Sequence, residues 1–170
     1  WNIQDFTVKS DGQPGPGSSF NTSLLVVNDS ASLNATNVKL LGDIQPVSEG
    51  GTTTGISVTG GTCVIGLVDI ILADVAKGRS FISAATGGYV RMTQDCVLTG
   101  IQNNNTVLAT DGSKFVRAGL AGQPLANFSG SVTGKRYAAT FNSIINVSGG
   151  GDNFIPGSSE GSVSTGSQYG

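Results

Sequence analysis

The stretch CVIGLVDIILADV, residues 63 to 75, is the longest apolar run of the chain, and its conformation decides the fold class. As a helix it would line one face with six apolar side chains: Val64, Leu67, Val68, Ile71, Leu72 and Val75. Ile65 and Ile70 break that face, and Gly66 would weaken a helix by about 1 kcal/mol. Val and Ile also favour strands. We therefore interpret the segment as a central β-strand that is buried on both faces.

Alternation of apolar and polar side chains predicts further strands on both sides of this segment. Residues 137–147, YAATFNSIINV, put five apolar side chains on one face: Tyr137, Ala139, Phe141, Ile145 and Val147. Residues 88–101, GYVRMTQDCVLTGI, do the same with Val90, Met92, Cys96 and Leu98. Glycine-rich turns such as TGG (86–88) and DGS (111–113) separate the strands. Short strands with such turns predict an all-β fold, a single antiparallel sandwich or barrel-like domain of the jelly-roll or β-tulip type with extended N- and C-terminal arms.

The predicted domain organisation has three parts. Residues 1–20 form an N-terminal arm that ends in a Pro/Gly linker, DGQPGPGSS, residues 21–148 form the β-domain, and residues 149–170 form a Gly/Ser-rich C-terminal arm. Proline fixes φ and favours an extended path through the linker. In the N-terminal arm Trp1, Ile3 and Phe6 need an apolar pocket, either on this chain or on a neighbour, so we predict that they contact a partner.

Composition argues against several classes of function. Charged residues make up 12 % of the chain, against a usual share of about 25 %, and the net charge is -2, so we expect no nucleic-acid partner. Histidine is absent, which removes the commonest general base and metal ligand. No apolar run approaches the roughly 20 residues of a membrane helix. We therefore expect no catalytic, cofactor-binding or metal-binding residues, no cofactor and no membrane partner.

The two cysteines, Cys63 and Cys96, lie in similar contexts, TCVIG and DCVLTG. They fit two interpretations: small buried apolar residues on strands, or a disulfide across neighbouring strands in an oxidising compartment. A zinc site is not expected, because no third or fourth soft ligand is present.

The C-terminal segment 149–170 contains few side chains that could fix it. Ordering each residue costs about 1–2 kcal/mol of backbone entropy, which a Gly/Ser-rich segment does not recover by its own packing. We therefore expect it to lie on another surface, with Phe154, Ile155 and Tyr169 as partner contacts. The alternative is that the segment wraps around its own domain.

A Gly/Ser/Thr-rich, histidine-free β chain that closes with NFIPGSSEGSVSTGSQYG (153–170) resembles the small structural proteins of tailed-phage virions, namely head decoration, cement and head-fibre proteins. The resemblance implies an all-β body, location in the virion, oligomers on a capsid shell and no catalysis. It also implies that the partners are other copies of the chain and a capsid or filament protein. No functional residue is carried over, because such proteins act by surface contact.

The expected function is therefore that of a non-enzymatic structural protein that decorates or cements a capsid shell, or of a head-fibre subunit. Two other functions stay open from the sequence. The chain fits an extracellular or cell-surface filament subunit of the pilus type, because extended segments can add to the sheet edge of a neighbour. It also fits a carbohydrate-binding or adhesin module, which would use exposed aromatic side chains such as Tyr89.

Overall fold

Three ladders of parallel strands wind around one apolar core in the computed structural model, which describes residues 1–10, 21–42, 52–72, 78–164 and 166–170. All pairings between these strands are parallel, so the described chain is a parallel β-solenoid. The strands are β1 Asn2–Ser10, β2 Asn21–Asn28, β3 Ser32–Gly42, β4 Thr52–Thr59, β5 Thr62–Gly66, β6 Asp69–Leu72, β7 Gly78–Ala85, β8 Tyr89–Met92, β9 Cys96–Ala109, β10 Lys114–Arg117, β11 Phe128–Ser129, β12 Val132–Ala139, β13 Ile144–Asn146, β14 Ser162–Val163 and β15 Gln168–Tyr169.

The ladders define three faces of the solenoid. The first face stacks the beginnings of β1 and β3 on β5, β8, β10, β13 and β15. The second face stacks the ends of β1 and β3 on β6, the beginning of β9, and then β11 and the beginning of β12. The third face stacks β2, β4, β7, the end of β9, the end of β12 and β14. Long strands such as β3 and β9 therefore contribute to two faces each.

The core consists of columns of inward-facing side chains that are in register from coil to coil. One column of the first face runs Leu33, Cys63, Val90, Phe115, Ile145 and Tyr169. One column of the third face runs Leu25, Ile56, Ile82, Val107 and Tyr137. Most of these side chains are fully buried. Each coil therefore buries its apolar side chains against the coil before it and the coil after it.

Residues with positive φ form the corner at which each coil passes from the third face to the first. At successive corners such residues include Ser30, Gly60, Gly87, Gly112, Asn142 and Gly166, so neighbouring corners are 24 to 30 residues apart. Gly, Asn and Asp adopt this conformation most readily, which explains why these residues recur at the corners. The corner on the other side of the first face uses Asn37 and Leu67 in the same conformation.

The predicted antiparallel sandwich or barrel is wrong, although the all-β class is confirmed. The run 63–75 is not one central strand, because a corner at Leu67, with φ 52°, separates β5 from β6. The run 137–147 is divided in the same way between β12 and β13. At this corner Phe141, predicted to be buried, is exposed. The glycine-rich turns predicted to separate the strands of a sandwich or barrel are corners that join parallel strands.

The predicted extended arms are also corrected. Residues 2–10 form β1, which pairs with β3 along its length, so they belong to the first coil of the solenoid. The linker DGQPGPGSS lies outside the described residues. The described part of 149–170 packs on its own body: Ile155 is fully buried, and β14 and β15 pair with β12 and β13. The tail therefore needs no companion molecule to hold it.

Candidate assembly site at the N-terminal end

The first coil of the solenoid has an edge with which no described strand pairs. Among the described residues β1 pairs only with β3, and β2 pairs only with β4. The free edges are long, since β1 has nine residues and β2 has eight. A long unpaired edge presents backbone N–H and C=O groups that can template another strand. This N-terminal end, defined by β1 and β2, is the candidate assembly site.

Apolar side chains at this end occupy positions that are buried in later coils. Phe6 is 55 % exposed, whereas Val38, which lies opposite it on β3, is 1 % exposed. Val8 is half-buried opposite the fully buried Leu40. The first coil thus leaves the top of the apolar core partly uncovered.

Trp1 is held at the same end by its backbone. Its backbone nitrogen donates to the Ser32 carbonyl oxygen at 2.9 Å, and its carbonyl oxygen accepts from the Asn34 amide at 2.9 Å. The indole nevertheless is 92 % exposed. A fixed backbone that carries an exposed Trp is a suitable anchor for a partner, because little additional ordering is needed when the ring is covered.

Side-chain amides and a carboxylate follow the edge of the first face. Asn34 donates from Nδ2 to Asn2 Oδ1 at 2.9 Å, and Asn37 donates from Nδ2 to Asp5 Oδ1. Asp5 has φ 53° and marks the corner at which β1 turns from the first face to the second. These bonds fix the corner of the first coil in the same conformation as the Asn37 corner beneath it.

The C-terminal end, in contrast, is covered by the chain's own tail. Phe128 packs between Phe115 and Phe154, with ring centroids 5.9 Å and 5.4 Å apart, and the Arg117 guanidinium lies 4.3 Å from the Phe154 ring centre. Thr106 donates from its hydroxyl to the Pro156 carbonyl at 2.6 Å. The strands at this end, β14 and β15, have two residues each. Short edge strands and a packed aromatic cluster leave little to template another chain.

Tyr137 and Tyr169 stack face to face in the same cap, with ring centroids 3.8 Å apart. The Tyr169 hydroxyl donates to the Gly151 carbonyl at 2.9 Å. Burial, and after it the neighbouring Tyr137, raises the pKa of Tyr169 to about 12. The two rings cover each other, so they serve the fold of the tail.

The partner contacts predicted from the sequence therefore fall into two separate groups. Trp1, Ile3 and Phe6 all belong to the first coil, in which Ile3 is half-buried on the first face and Phe6 lies past the Asp5 corner on the second face. Phe154, Ile155 and Tyr169 lie in the C-terminal cap, where Ile155 has no exposed surface. The sequence interpretation missed Asp5, Thr7 and Lys9 on the same edge as Phe6; the alternation of DFTVK, residues 5 to 9, was the available signal.

A cleft of about 390 Å³ beside the tail is polar. It is lined by Arg136, Tyr137, Asp152, Asn153, Glu160 and Gly161. A second recess, of about 570 Å³, lies under the 118–127 loop and includes Leu67, Leu120 and Leu125.

Within the described ranges no three His, Cys, Asp or Glu side chains cluster as metal ligands do, and no helix is both long and apolar enough to cross a membrane.

Cys63 and Cys96 are free thiols buried in the core, which favours the first of the two interpretations made from the sequence. Burial raises the pKa of each thiol from 9.0 to about 12. Thiolates are the reactive form, so both groups should be inert in the folded protein.

We expect the folded protein to lose stability as the pH rises from about 9 towards 12. The unfolded thiols ionise near pH 9, whereas the buried ones stay protonated, so the unfolded state binds fewer protons and is favoured at higher pH. Urea midpoints measured at pH 8 and at pH 10.5 test this, with a Cys63→Ala, Cys96→Ala double variant as the control. An equal loss of stability in that variant would show that other groups cause the pH dependence.

Comparisons with known proteins found no match, whether to a protein-family model, a curated protein or a solved structure.

Proposed function

We propose that this chain is a non-enzymatic structural subunit of a virion, of the decoration or head-fibre type, that assembles through its N-terminal end. The solenoid supports this proposal, because stacked coils make a stiff unit with a distinct surface at each end. The virion setting is the implication of the resemblance to tailed-phage structural proteins, and a solenoid fits the fibre type among them.

The contrast between the two ends carries the proposal. The C-terminal end has two-residue strands under a packed tail, and Phe141 and Val163 are exposed there. At the N-terminal end, in contrast, the exposed Trp1 and Phe6 lie beside the long free edges of β1 and β2. Covering on the order of 300 Å² of these two aromatic side chains at about 25 cal/mol per Å² would contribute roughly 7 kcal/mol before the entropic cost of association. That contribution offsets part of the roughly 4–15 kcal/mol that association costs, and the free edges of β1 and β2 would supply the rest.

The alternative functions have less support from the geometry. A self-polymerising filament needs two complementary ends, but the C-terminal end offers only two-residue strands under a packed tail. A carbohydrate-binding module uses free aromatic faces, but Tyr137 and Tyr169 are stacked on each other, and the exposed Trp1 lies at the opposite end of the molecule from them. End-on assembly through one surface agrees better with both observations.

Substitution of the two exposed aromatic side chains is expected to abolish assembly. We expect the wild type to associate in sedimentation velocity experiments over a micromolar concentration series, and a Trp1→Ser, Phe6→Ser double variant to bind at least about a hundredfold more weakly, since each anchor contributes about 2 kcal/mol or more.

A Phe141→Ser, Val163→Ser variant is the matched control, since both side chains are exposed but lie away from the N-terminal end. It should associate like the wild type. A wild type that stays monomeric throughout the series, or a control that loses association to the same extent, would overturn end-on assembly.

A further inference from the structure

We infer that the occupant of the N-terminal end is a second copy of this chain, docked head to head so that the two β1 strands pair antiparallel about a two-fold axis at Thr7. The inference rests on the proposed function, since it specifies the partner and the register of end-on assembly. Isologous two-fold contacts are the commonest way in which identical chains associate, and they require a surface that is complementary to itself.

Residues 5 to 9, Asp-Phe-Thr-Val-Lys, have this self-complementarity. Antiparallel pairing centred on Thr7 puts Phe6 opposite the second copy's Val8. It also brings Lys9 next to the second copy's Asp5, which lies at the corner with φ 53° and whose carboxylate already accepts from Asn37 Nδ2. Thr7 then lies opposite its own counterpart. An opposite-charge pair, an aromatic with a β-branched residue, and two threonines are the cross-strand pairs that stabilise antiparallel sheets.

The directions of these side chains fit a continuous core. Phe6 and Val8 lie opposite Val38 and Leu40, which are buried, so they face inward. In the head-to-head pair Phe6 and Val8 of one copy would meet those of the other. Thr7 and Lys9 alternate with them on the outer face, where both side chains are exposed.

Other arrangements of two copies are less favourable. A parallel pairing in register would put Asp5 beside Asp5 and Lys9 beside Lys9, which is repulsive. A head-to-tail arrangement would put β1 against the tail-covered end, where the strands are only two residues long. The antiparallel head-to-head pair alone joins two long free edges and balances both charges.

A single cysteine at Thr7 tests the two-fold axis directly. Opposed residues in an antiparallel pair have Cβ atoms roughly 4.5–5.5 Å apart, close to the separation that a disulfide spans. We expect Thr7→Cys to form a covalent dimer with oxidised glutathione, whereas Thr99→Cys, which is exposed on the same face but lies on β9, away from the free edge, does not. Cys63 and Cys96 are buried, so they should not form disulfides between molecules under these conditions.

Charge reversal tests the register. We expect Lys9→Glu to weaken the dimer about tenfold, because each copy would then place a carboxylate at position 9 beside Asp5 of the other. Lys39→Glu is the matched control, because Lys39 is exposed opposite Thr7 on the next coil and its substitution makes the same change in net charge. It should leave the dimer unchanged.

The outcomes separate this inference from the proposed function. Association that needs Trp1 and Phe6 but shows neither the Thr7 cross-link nor the Lys9 effect would overturn the two-fold register and leave end-on assembly standing. A chain that does not associate at all would overturn both.

Discussion

Alanine at Gly88 is expected to lower the free energy of unfolding by at least about 3 kcal/mol. A Cβ atom at this position would lie 2.4 Å from the Val58 carbonyl oxygen and 2.9 Å from that of Ala85. Neither oxygen can move easily, because the surrounding backbone is hydrogen-bonded: the Gly88 amide donates to Ala85, and the Gly88 carbonyl accepts from Lys114, both at 2.9 Å. Two neighbouring coils would have to separate to admit one methyl group.

The adjacent glycine provides the control for this prediction. Gly87 has φ 74°, and no atom lies within 4 Å of the position of its Cβ. Asparagine tolerates this conformation, so Gly87→Asn should cost less than about 1 kcal/mol. Urea denaturation followed by circular dichroism compares the two variants. Similar losses at both positions would mean that the coils are not in contact at this corner as described.

Alanine at Ile155 is expected to cost about 2–5 kcal/mol, the usual range for a fully buried isoleucine. Ile155 has no exposed surface, and it is the tail residue that enters the core. Its loss should leave a cavity beneath the tail and loosen the cap at the C-terminal end. We expect a lower melting temperature and faster proteolysis of residues 149–170.

Val163→Ala is the comparison for Ile155, because Val163 lies on the same tail but is exposed. It should change stability by less than about 0.5 kcal/mol. Limited proteolysis with mass spectrometry identifies where cleavage begins. If Ile155→Ala were as stable and as protease-resistant as Val163→Ala, the tail would not be the cap that the structure describes.

Period-two patterns in the sequence predicted the buried faces well. Val90, Met92, Cys96 and Leu98 were predicted to share one side of a strand, and all four are buried. The pattern continues across the corner at 93–95 because an inward-facing side chain stays inward when the chain bends around the same core. For this reason the alternation could not show that one run comprises two strands on different faces.

Strand direction could not be predicted from the same patterns. Hairpin turns and solenoid corners both use Gly, Asn and Asp with positive φ, so TGG and DGS fit either one. The distinguishing signal was the recurrence of such residues every 24 to 30 positions. This repeat is one of conformation and not of residue identity, since Ser30, Gly87 and Asn142 occupy equivalent corners. The repeat is therefore not visible as a recurring sequence motif.

The C-terminal tail shows why composition alone gave the wrong prediction of an extended arm. Gly and Ser bring few side-chain contacts, but their backbone groups bond to the body, as when the Arg136 amide donates to the Ser159 carbonyl at 3.0 Å. Gly161 packs so closely on Tyr137 that a Cβ would lie 2.3 Å from the ring. Gly and Ser are needed there because larger side chains would not fit between the tail and the body. Composition alone cannot distinguish such a closely packed segment from a disordered one.

Part of the candidate site was accessible from the sequence. Trp1, Ile3 and Phe6 were predicted to contact a partner, and the structure places all three on the first coil; that contact stays a prediction. The opposite charges of Asp5 and Lys9 indicate a register of strand pairing only once β1 is known to be an edge strand. An edge is a property of topology, which the residues of β1 alone do not reveal.

The hydrogen bonds between coils run along the axis on which the coils stack, so a pulling force applied to the first and last coils would load them directly. Each coil is held mainly by its neighbours, and the chain would therefore release one coil at a time under tension, lengthening in steps. Sideways bending, in contrast, would have to compress the packed columns of the core. Such a body should resist bending better than stretching.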